Sequence, residues 1–191
     1  MKNKQNGFTL LELMVTVAIV GIIASIALWN SSDMLEENRA ENFLLELKRN
    51  ISYARAQAAS TDEVVIVCPV QYNDFNNNNK ALQCKKVWDN NKIIIVFIDK
   101  LTTKKNIKNK NATYKSSEDS LLRVMEKISL TDKVKYTGNE RILRFDTSGR
   151  ITTNPGDFVF CPNNGSENNK ALTVSQSGTS FYAGDTDQTC G

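Results

Sequence analysis

Histidine is absent from the 191-residue sequence. This absence removes the most common general base, the usual catalytic triads and metal sites that rely on imidazole ligands. Charge is nearly balanced as well, because 24 basic and 21 acidic side chains leave a formal net charge of +3. Such a small excess does not indicate strong non-specific binding to nucleic acids. We therefore expect a protein that is not an enzyme and that uses no cofactor.

Cysteine is scarce and never occurs as a Cys-x-x-Cys pair. The four positions are Cys68, Cys84, Cys161 and Cys190. Structural zinc sites usually take ligands from short paired spacings, so two disulfides are favoured over free buried thiols or a bound metal. Disulfides would place the folded body in an oxidising compartment such as the periplasm. Proximity along the chain favours Cys68 with Cys84 and Cys161 with Cys190, and the two other connectivities stay open.

An apolar run from Phe8 to Leu28 contains one ionisable side chain, Glu12. As a helix the run would extend about 32 Å, which is enough to span a bilayer. Lys2 and Lys4 precede it and would keep the amino end in the cytoplasm. A secretory signal peptide cleaved after Ser25-Ile26-Ala27 and a simple membrane anchor are two interpretations, but neither needs the carboxylate. A charge at the membrane centre costs about 2.5–3.5 kcal/mol on insertion scales, which favours a third interpretation in which Glu12 serves a partner.

The stretch Gly7-Phe8-Thr9-Leu10-Leu11-Glu12, with a basic leader before it and an apolar helix after it, resembles the amino terminus of type IV prepilins and type II secretion pseudopilins. The resemblance implies that a prepilin peptidase cleaves between Gly7 and Phe8 and methylates the new terminus. It also implies that Glu12 pairs with the exposed amine of a neighbouring subunit. Desolvation offsets much of the attraction between two such charges, so we expect the pair mainly to set the register of assembly.

A second helical segment continues to Ala59 without glycine or proline. Apolar residues in it recur at steps of four and three, which predicts one buried stripe along an amphipathic helix. The stripe becomes small near its end, which favours close packing against a sheet. Its members are Ala40, Leu44, Leu47, Ile51, Ala54 and Ala58.

From Asp62 onward, short β-rich runs alternate with polar loops. One long helix followed by strands predicts an α+β, pilin-like fold, in which the helix packs on an antiparallel sheet. Turns are expected at Gly138-Asn139 and Ser148-Gly149. The predicted strands are Val64–Val67, Ile93–Ile98, Leu121–Met125, Val134–Tyr136, Arg141–Phe145, Phe158–Phe160, Ala171–Val174 and Ser180–Tyr182.

Four segments are expected along the chain. A leader peptide covers residues 1–7 and a transmembrane half-helix covers residues 8–29. An amphipathic helix covers residues 30–61, and a periplasmic β-rich body covers residues 62–191.

Three later motifs are similar to the GspH/FimT group of minor pilins and pseudopilins. They are Trp88 with the following run Ile93–Asp99, the turn segment Leu143–Arg150, and the late segment Val174–Gly178. The resemblance implies a low-copy filament subunit that helps to start assembly or lies near the tip. Its expected partners are other pilin subunits, the prepilin peptidase and the inner membrane, which the chain crosses once before it enters a filament at the cell surface.

Three other functions stay open. A pseudopilin for type II secretion has the same amino-terminal requirements. A DNA-binding module at a pilus tip would rely on the lysine-rich loop, chiefly Lys104 and Lys105, but aromatic interleaving is missing there. DNA-binding FimT members carry arginines just after the late glycine, and the stretch after Gly178 has none. A periplasmic hydrolase is disfavoured because histidine and a nucleophile motif are lacking.

Two acidic motifs are expected to have local structural roles. Asp185-x-Asp187 is more typical of a polar turn than of a calcium site, because a surrounding ligand set is missing. Asp146 is expected to cap backbone amides of the turn that follows it. No metal site is predicted from the sequence.

Overall fold

The structure is a computed structural model that describes residues 8–29, 31–88, 91–100, 112–138, 140, 142–165 and 167–191. The chain divides into two compact units, Met1–Leu35 and Glu36–Gly191. Helix α1 spans Leu10–Trp29 and helix α2 spans Ser31–Thr61. Within the described ranges, no helix reaches the combined length and hydropathy required to cross a membrane. The span expected over residues 8–29 is therefore not confirmed.

The apolar stripe of α2 is buried as predicted. All six of its residues have no exposed surface, and they lie in one core with side chains from the strands. Leu44, Leu47 and Ile51 are its largest fully buried side chains, and burial contributes about 1.5–3 kcal/mol for each of them. Ala54 and Ala58 follow at the end of the stripe, where small side chains allow the sheet to approach closely.

Among the described residues, ten strands follow α2, and all of their pairings are antiparallel. The fold is therefore α+β, with the helix packed on antiparallel sheets as the sequence predicts. The elements are β1 (Val65–Gln71), α3 (Tyr72–Asn76), β2 (Ala81–Gln83), β3 (Lys92–Ile98), β4 (Thr113–Lys115), β5 (Ser120–Val124), β6 (Lys133–Tyr136), β7 (Leu143–Phe145), β8 (Gly156–Cys161), a 3-10 turn (Pro162–Asn164), β9 (Lys170–Val174) and β10 (Ser180–Asp185).

Within the part of the chain that the structure describes, these strands form two four-stranded sheets and one two-stranded sheet. The first sheet has the order β5-β3-β1-β7, the second has the order β10-β9-β8-β6, and β2 pairs with β4. The inward faces of both large sheets share the core that receives the α2 stripe. The ring of Phe158, on the second sheet, packs against two other aromatic rings of the same core. The distances between ring centroids are 4.8 Å to Trp88 and 4.4 Å to Tyr136.

Strand β1 is apolar on both faces because it is covered on both. Val65 and Val67 face the core that contains α2. Ile66 and Cys68, which alternate with them, belong to a second core that includes Leu82 of β2. The period of two along a strand places successive side chains on opposite faces, so the continuous apolar run of β1 matches burial between two layers.

Two glycine turns lie against the end of α2. Gly149 and Gly178 have φ angles of +73° and +78°, which glycine adopts without steric cost. A Cβ atom on Gly178 would lie 2.5 Å from the carbonyl oxygen of Gly149, so the two turns are in direct backbone contact. Arg55 of α2 donates from Nη1 to Oγ1 of Thr179 at 3.0 Å and ties the helix to the second turn.

Asp146 caps the first of these turns, which confirms the role expected for it. Its Oδ1 accepts hydrogen bonds from the backbone N–H groups of Ser148 at 2.9 Å and Arg150 at 3.0 Å. Burial alone would raise the pKa of the Asp146 carboxyl, but these bonds and the Ser148 hydroxyl lower it below its ordinary value.

Candidate assembly site

Helix α1 begins with a capping box formed by Thr9 and Glu12. The backbone N–H of Glu12 donates to Oγ1 of Thr9 at 3.2 Å, and Oε2 of Glu12 accepts from the backbone N–H of Thr9 at 2.9 Å. The Thr9 hydroxyl also donates to the same carboxylate oxygen at 3.1 Å. A threonine N-cap with glutamate three residues later satisfies two backbone donors that the first helical turn leaves without partners. Glu12 therefore stabilises the start of its own helix.

The capping box occupies only part of the Glu12 carboxylate. Both hydrogen bonds from Thr9 end on Oε2, and the residues that the structure describes direct no donor to Oε1. A carboxylate has about four lone-pair positions, so it accepts further donors without losing the cap. Phe8, one residue before the N-cap, is 91% exposed. An amine created at Phe8 would therefore lie at an accessible end of the helix.

Over residues 10–26, α1 exposes large apolar side chains on every side. Leu10, Leu11, Val17 and Ile23 expose between 62% and 79% of their surface, and at about 100° per residue they are spread around the helix. A helix without a polar face is normally buried, either by lipid or by other protein. The first unit therefore presents a surface that requires apolar surroundings, with Glu12 at one end.

A polar cluster, here called the helix clasp, holds the first turns of α2 within the second unit. Arg39 forms a salt bridge with the buried carboxylate of Asp132 at 3.0 Å between Nη2 and Oδ1. Asn163 accepts a hydrogen bond from Arg39 Nη2 at 3.2 Å and donates from its side chain to Glu36. The backbone N–H of Asn163 also donates to Oδ1 of Asp132 at 3.0 Å.

Lys170 of β9 completes the helix clasp. Its side chain is only 6% exposed, and Nζ lies 2.6 Å from Oε1 of Glu37 on α2 and also contacts Asp185 of β10. Burial disfavours the ammonium, but the hydrogen bonds and charges of Asp185 and Glu37 outweigh burial and raise the pKa of Lys170. The ammonium therefore joins a helix to a strand in its charged form.

Both expected disulfides are present. Cys68 is bonded to Cys84 and Cys161 to Cys190, with Cα–Cα distances of 5.6 Å and 6.2 Å. The first bond ties β1 to the segment after β2, and the second ties the end of β8 to the carboxy-terminal residues. No free cysteine remains in the structure.

Some of the other predicted positions lie outside the described residues, and some are described. Gly7, Lys104 and Lys105 lie outside the described residues, so their roles in processing and DNA binding stay predictions. Asp185 ends β10 and pairs with Lys170. Over the described ranges, no cluster of three His, Cys, Asp or Glu side chains could hold a metal ion.

Two features of the site were missed from the sequence. The capping box was recognisable, because Thr-x-x-Glu before an apolar run is a known signature of a helix start. The helix clasp was not, because Glu36, Glu37 and Arg39 lie off the apolar stripe and resemble an ordinary solvated face. Their partners are more than ninety residues away along the chain, and periodicity carries no information about them.

Comparison with known proteins identifies two matching family models. The model for the prokaryotic N-terminal methylation motif matches residues 2–28, and the model for type II transport protein GspH matches residues 45–178. A search of curated protein sequences finds no significant match.

Two crystal structures share the fold, both of the type IV minor pilin FimU from Pseudomonas aeruginosa strain PAO1. The structure in space group P21 has a TM-score of 0.52 at 18% identity and covers 82% of this chain and 98% of FimU. The structure in space group P65 has a TM-score of 0.51 at 18% identity, with 78% and 98% coverage.

Proposed function

This chain belongs to the GspH family of type II transport proteins, and we propose that it serves as a minor pilin that starts assembly of a type IV pilus or lies at its tip. At the level of the family, it is a minor pilin or pseudopilin of a type IV pilus or a type II secretion system. This family is structural, and membership implies assembly with other pilin or pseudopilin subunits and processing by a prepilin peptidase.

The observation that carries the proposal is the start of α1. There, one carboxylate caps an otherwise apolar helix and keeps an oxygen accessible. Cleavage after Gly7 would convert the amide nitrogen of Phe8 into a cationic amine, and methylation of that amine preserves its charge. The accessible oxygen of Glu12 would then accept a hydrogen bond from the amine of a neighbouring subunit. In apolar surroundings this contact forms at one axial position only, so it sets the register between subunits.

The location follows from the same surface. We propose that residues 8–29 hold the subunit in the inner membrane until it enters the filament, because α1 exposes apolar side chains in all directions. The second unit would then lie in the periplasm, where two disulfides form readily.

A pseudopilin of a type II secretion system is the second candidate, since the matching family model is that of a type II transport protein. Deletion of the gene separates the two. Loss of surface pili and twitching with normal export of secreted proteins supports the minor pilin. Blocked export in cells that retain pili identifies the pseudopilin instead.

Processing is tested independently by the intact mass of the protein purified from membranes. The proposal predicts a mature chain that begins at N-methylated Phe8. A mature chain that begins at Leu28 would indicate signal-peptide cleavage and would remove the filament role.

A further inference from the structure

The start of α2 in the second unit is held by charges rather than by apolar packing. The apolar stripe begins at Ala40, and in the described part of the chain the helix clasp ties the turn before it to the rest of the second unit. Asp132 and Lys170 are both buried, and each takes its opposite charge from α2 through Arg39 and Glu37. A buried charge that loses its partner is strongly unfavourable, so these contacts fix the position of this turn.

Asn163 is the hub of the helix clasp. It contacts Asp132 through its backbone and both Arg39 and Glu36 through its side chain. Its φ angle is +49°, a left-handed conformation that the loop between β8 and β9 must maintain for these three contacts to coexist. The geometry of this loop therefore determines whether the clasp is closed.

The carboxy-terminal tail, residues 186–191, fastens that loop at both ends. At one end Cys190 is bonded to Cys161, two residues before Asn163. At the other end Asn169 donates from Nδ2 to the carbonyl oxygen of Gln188 at 3.0 Å and accepts from the backbone N–H of Thr186 at 3.1 Å. Asn169 directly precedes Lys170, so the tail is connected to both halves of the clasp.

Few contacts other than the disulfide hold the tail against the rest of the second unit. Its residues form no strand, and most of them are exposed. Apart from the disulfide, its described contacts include a hydrogen bond from Lys135 to the carbonyl oxygen of Thr189 at 3.1 Å and one from Gln188 to Asp157 at 3.0 Å. Terminal segments held by a few exposed hydrogen bonds fray readily.

We propose that the tail is a redox-set strap: formation of the Cys161–Cys190 disulfide closes the helix clasp, and reduction of that bond releases the first turns of α2. In the oxidising step, two thiols lose two protons and two electrons, and a disulfide-donating oxidant takes them up and becomes a dithiol. Reduction by a dithiol reverses the exchange. Only the oxidised subunit then presents α2 at a fixed position. The strap concerns the second unit alone and stands whether or not the protein joins a pilus.

The test is hydrogen exchange of the full-length chain in detergent micelles. The variant Cys161→Ser/Cys190→Ser is expected to accelerate exchange of the amides of residues 36–42 by about tenfold or more and to leave residues 50–58 unchanged. The matched control Cys68→Ser/Cys84→Ser removes the other disulfide, which contacts neither the tail nor the clasp among the described residues. It is expected to leave residues 36–42 unchanged.

A second pair of variants tests the role of the Asn163 side chain and leaves the disulfide intact. Asn163→Gly keeps the left-handed backbone but removes the side-chain bonds, so it is expected to accelerate exchange of residues 36–42. Asn168→Gly is its control, since Asn168 has a φ angle of +59° in the same loop and, within the described chain, makes no hydrogen bond to α2. Unchanged exchange of residues 36–42 in both the cysteine double variant and Asn163→Gly would overturn the proposal. So would a uniform rise across residues 36–61 in both.

Discussion

Lys170 offers a quantitative test of how α2 is attached to the second sheet. Its ammonium is buried, with a side chain 6% exposed, whereas the partner carboxylates of Glu37 and Asp185 are 52% and 85% exposed. The two sides of the interaction therefore respond differently to removal. Loss of the lysine leaves carboxylates that water already solvates, whereas loss of the carboxylates leaves the ammonium in a largely buried position without its two partners.

The asymmetry can be expressed as free energies of unfolding. Replacing a buried ion by an apolar side chain of similar length is often neutral, so Lys170→Met is expected to change the free energy of unfolding by less than about 1 kcal/mol. Removing the partners of a buried charge typically costs about 3–5 kcal/mol, and solvent screening at the exposed carboxylates reduces the expected loss for Glu37→Ala/Asp185→Ala to about 2–3 kcal/mol.

The pH dependence has a definite sign. The pKa of Lys170 is raised in the folded state, so the pairing contributes its full stability below the ordinary lysine pKa of about 10.4 and loses it as pH rises through the higher folded value. Relative to Lys170→Met, the wild type should therefore keep a constant stability from about pH 6 to pH 9 and lose stability only above about 10.4.

Urea unfolding of the full-length protein in detergent, followed by circular dichroism, measures these differences. Equal losses from Lys170→Met and from the double alanine variant would refute the asymmetry. They would show that the ammonium is as well solvated as its partners.

Three further predictions concern the core and the turns. Leu47→Ala opens a cavity under α2 and should reduce the free energy of unfolding by about 2–5 kcal/mol in urea titrations, whereas a change below about 1 kcal/mol would show that the stripe does not carry the packing. Gly178→Ala meets the Gly149 carbonyl and should lower the melting temperature by several degrees or prevent folding, and an unchanged melting temperature would contradict the contact between the turns. Asp146→Ala should destabilise the protein above the ordinary aspartate pKa of about 3.9 and progressively less as pH falls below it, because the folded carboxyl has a lowered pKa. A pH-independent effect of Asp146→Ala would assign the loss to packing alone.

Much of the fold was predictable because it depends on periodicity. The α2 stripe repeats at helical spacing, and it is buried at all six positions. A strand occurs at each of the eight predicted places, although Arg141, where one was predicted to begin, lies outside the described residues. The other ends are displaced by a few residues at most, since strand ends depend on pairing partners rather than on local sequence. Gly149 marked one turn correctly, and its φ angle of +73° is one that glycine adopts without steric cost.

The parts that were not predicted depend on distant partners. Strands β2 and β4 have three residues each, too few to show an alternation, and their Leu82 and Tyr114 pack in the second core with residues of β1 and β3. The short helix α3 has no fully buried side chain and places only the partly buried Tyr72 and Phe75 against the second core, which is too little for a helical apolar pattern. At the candidate site, the prepilin-like motif indicated Glu12, whereas Asn163 and Lys170 acquire their roles only through the chain path that brings them to α2.

The most direct test of the assembly account is the variant Glu12→Gln expressed in place of the wild-type subunit. Glutamine at this position preserves the capping box with Thr9, because its amide oxygen still accepts the backbone hydrogen bond, but it removes the negative charge. The measurement is the amount of subunit recovered in sheared filaments relative to the amount in membranes. The account predicts that Glu12→Gln is cleaved and methylated at Phe8, accumulates in membranes and is depleted from filaments. Recovery in filaments at the wild-type level would contradict it.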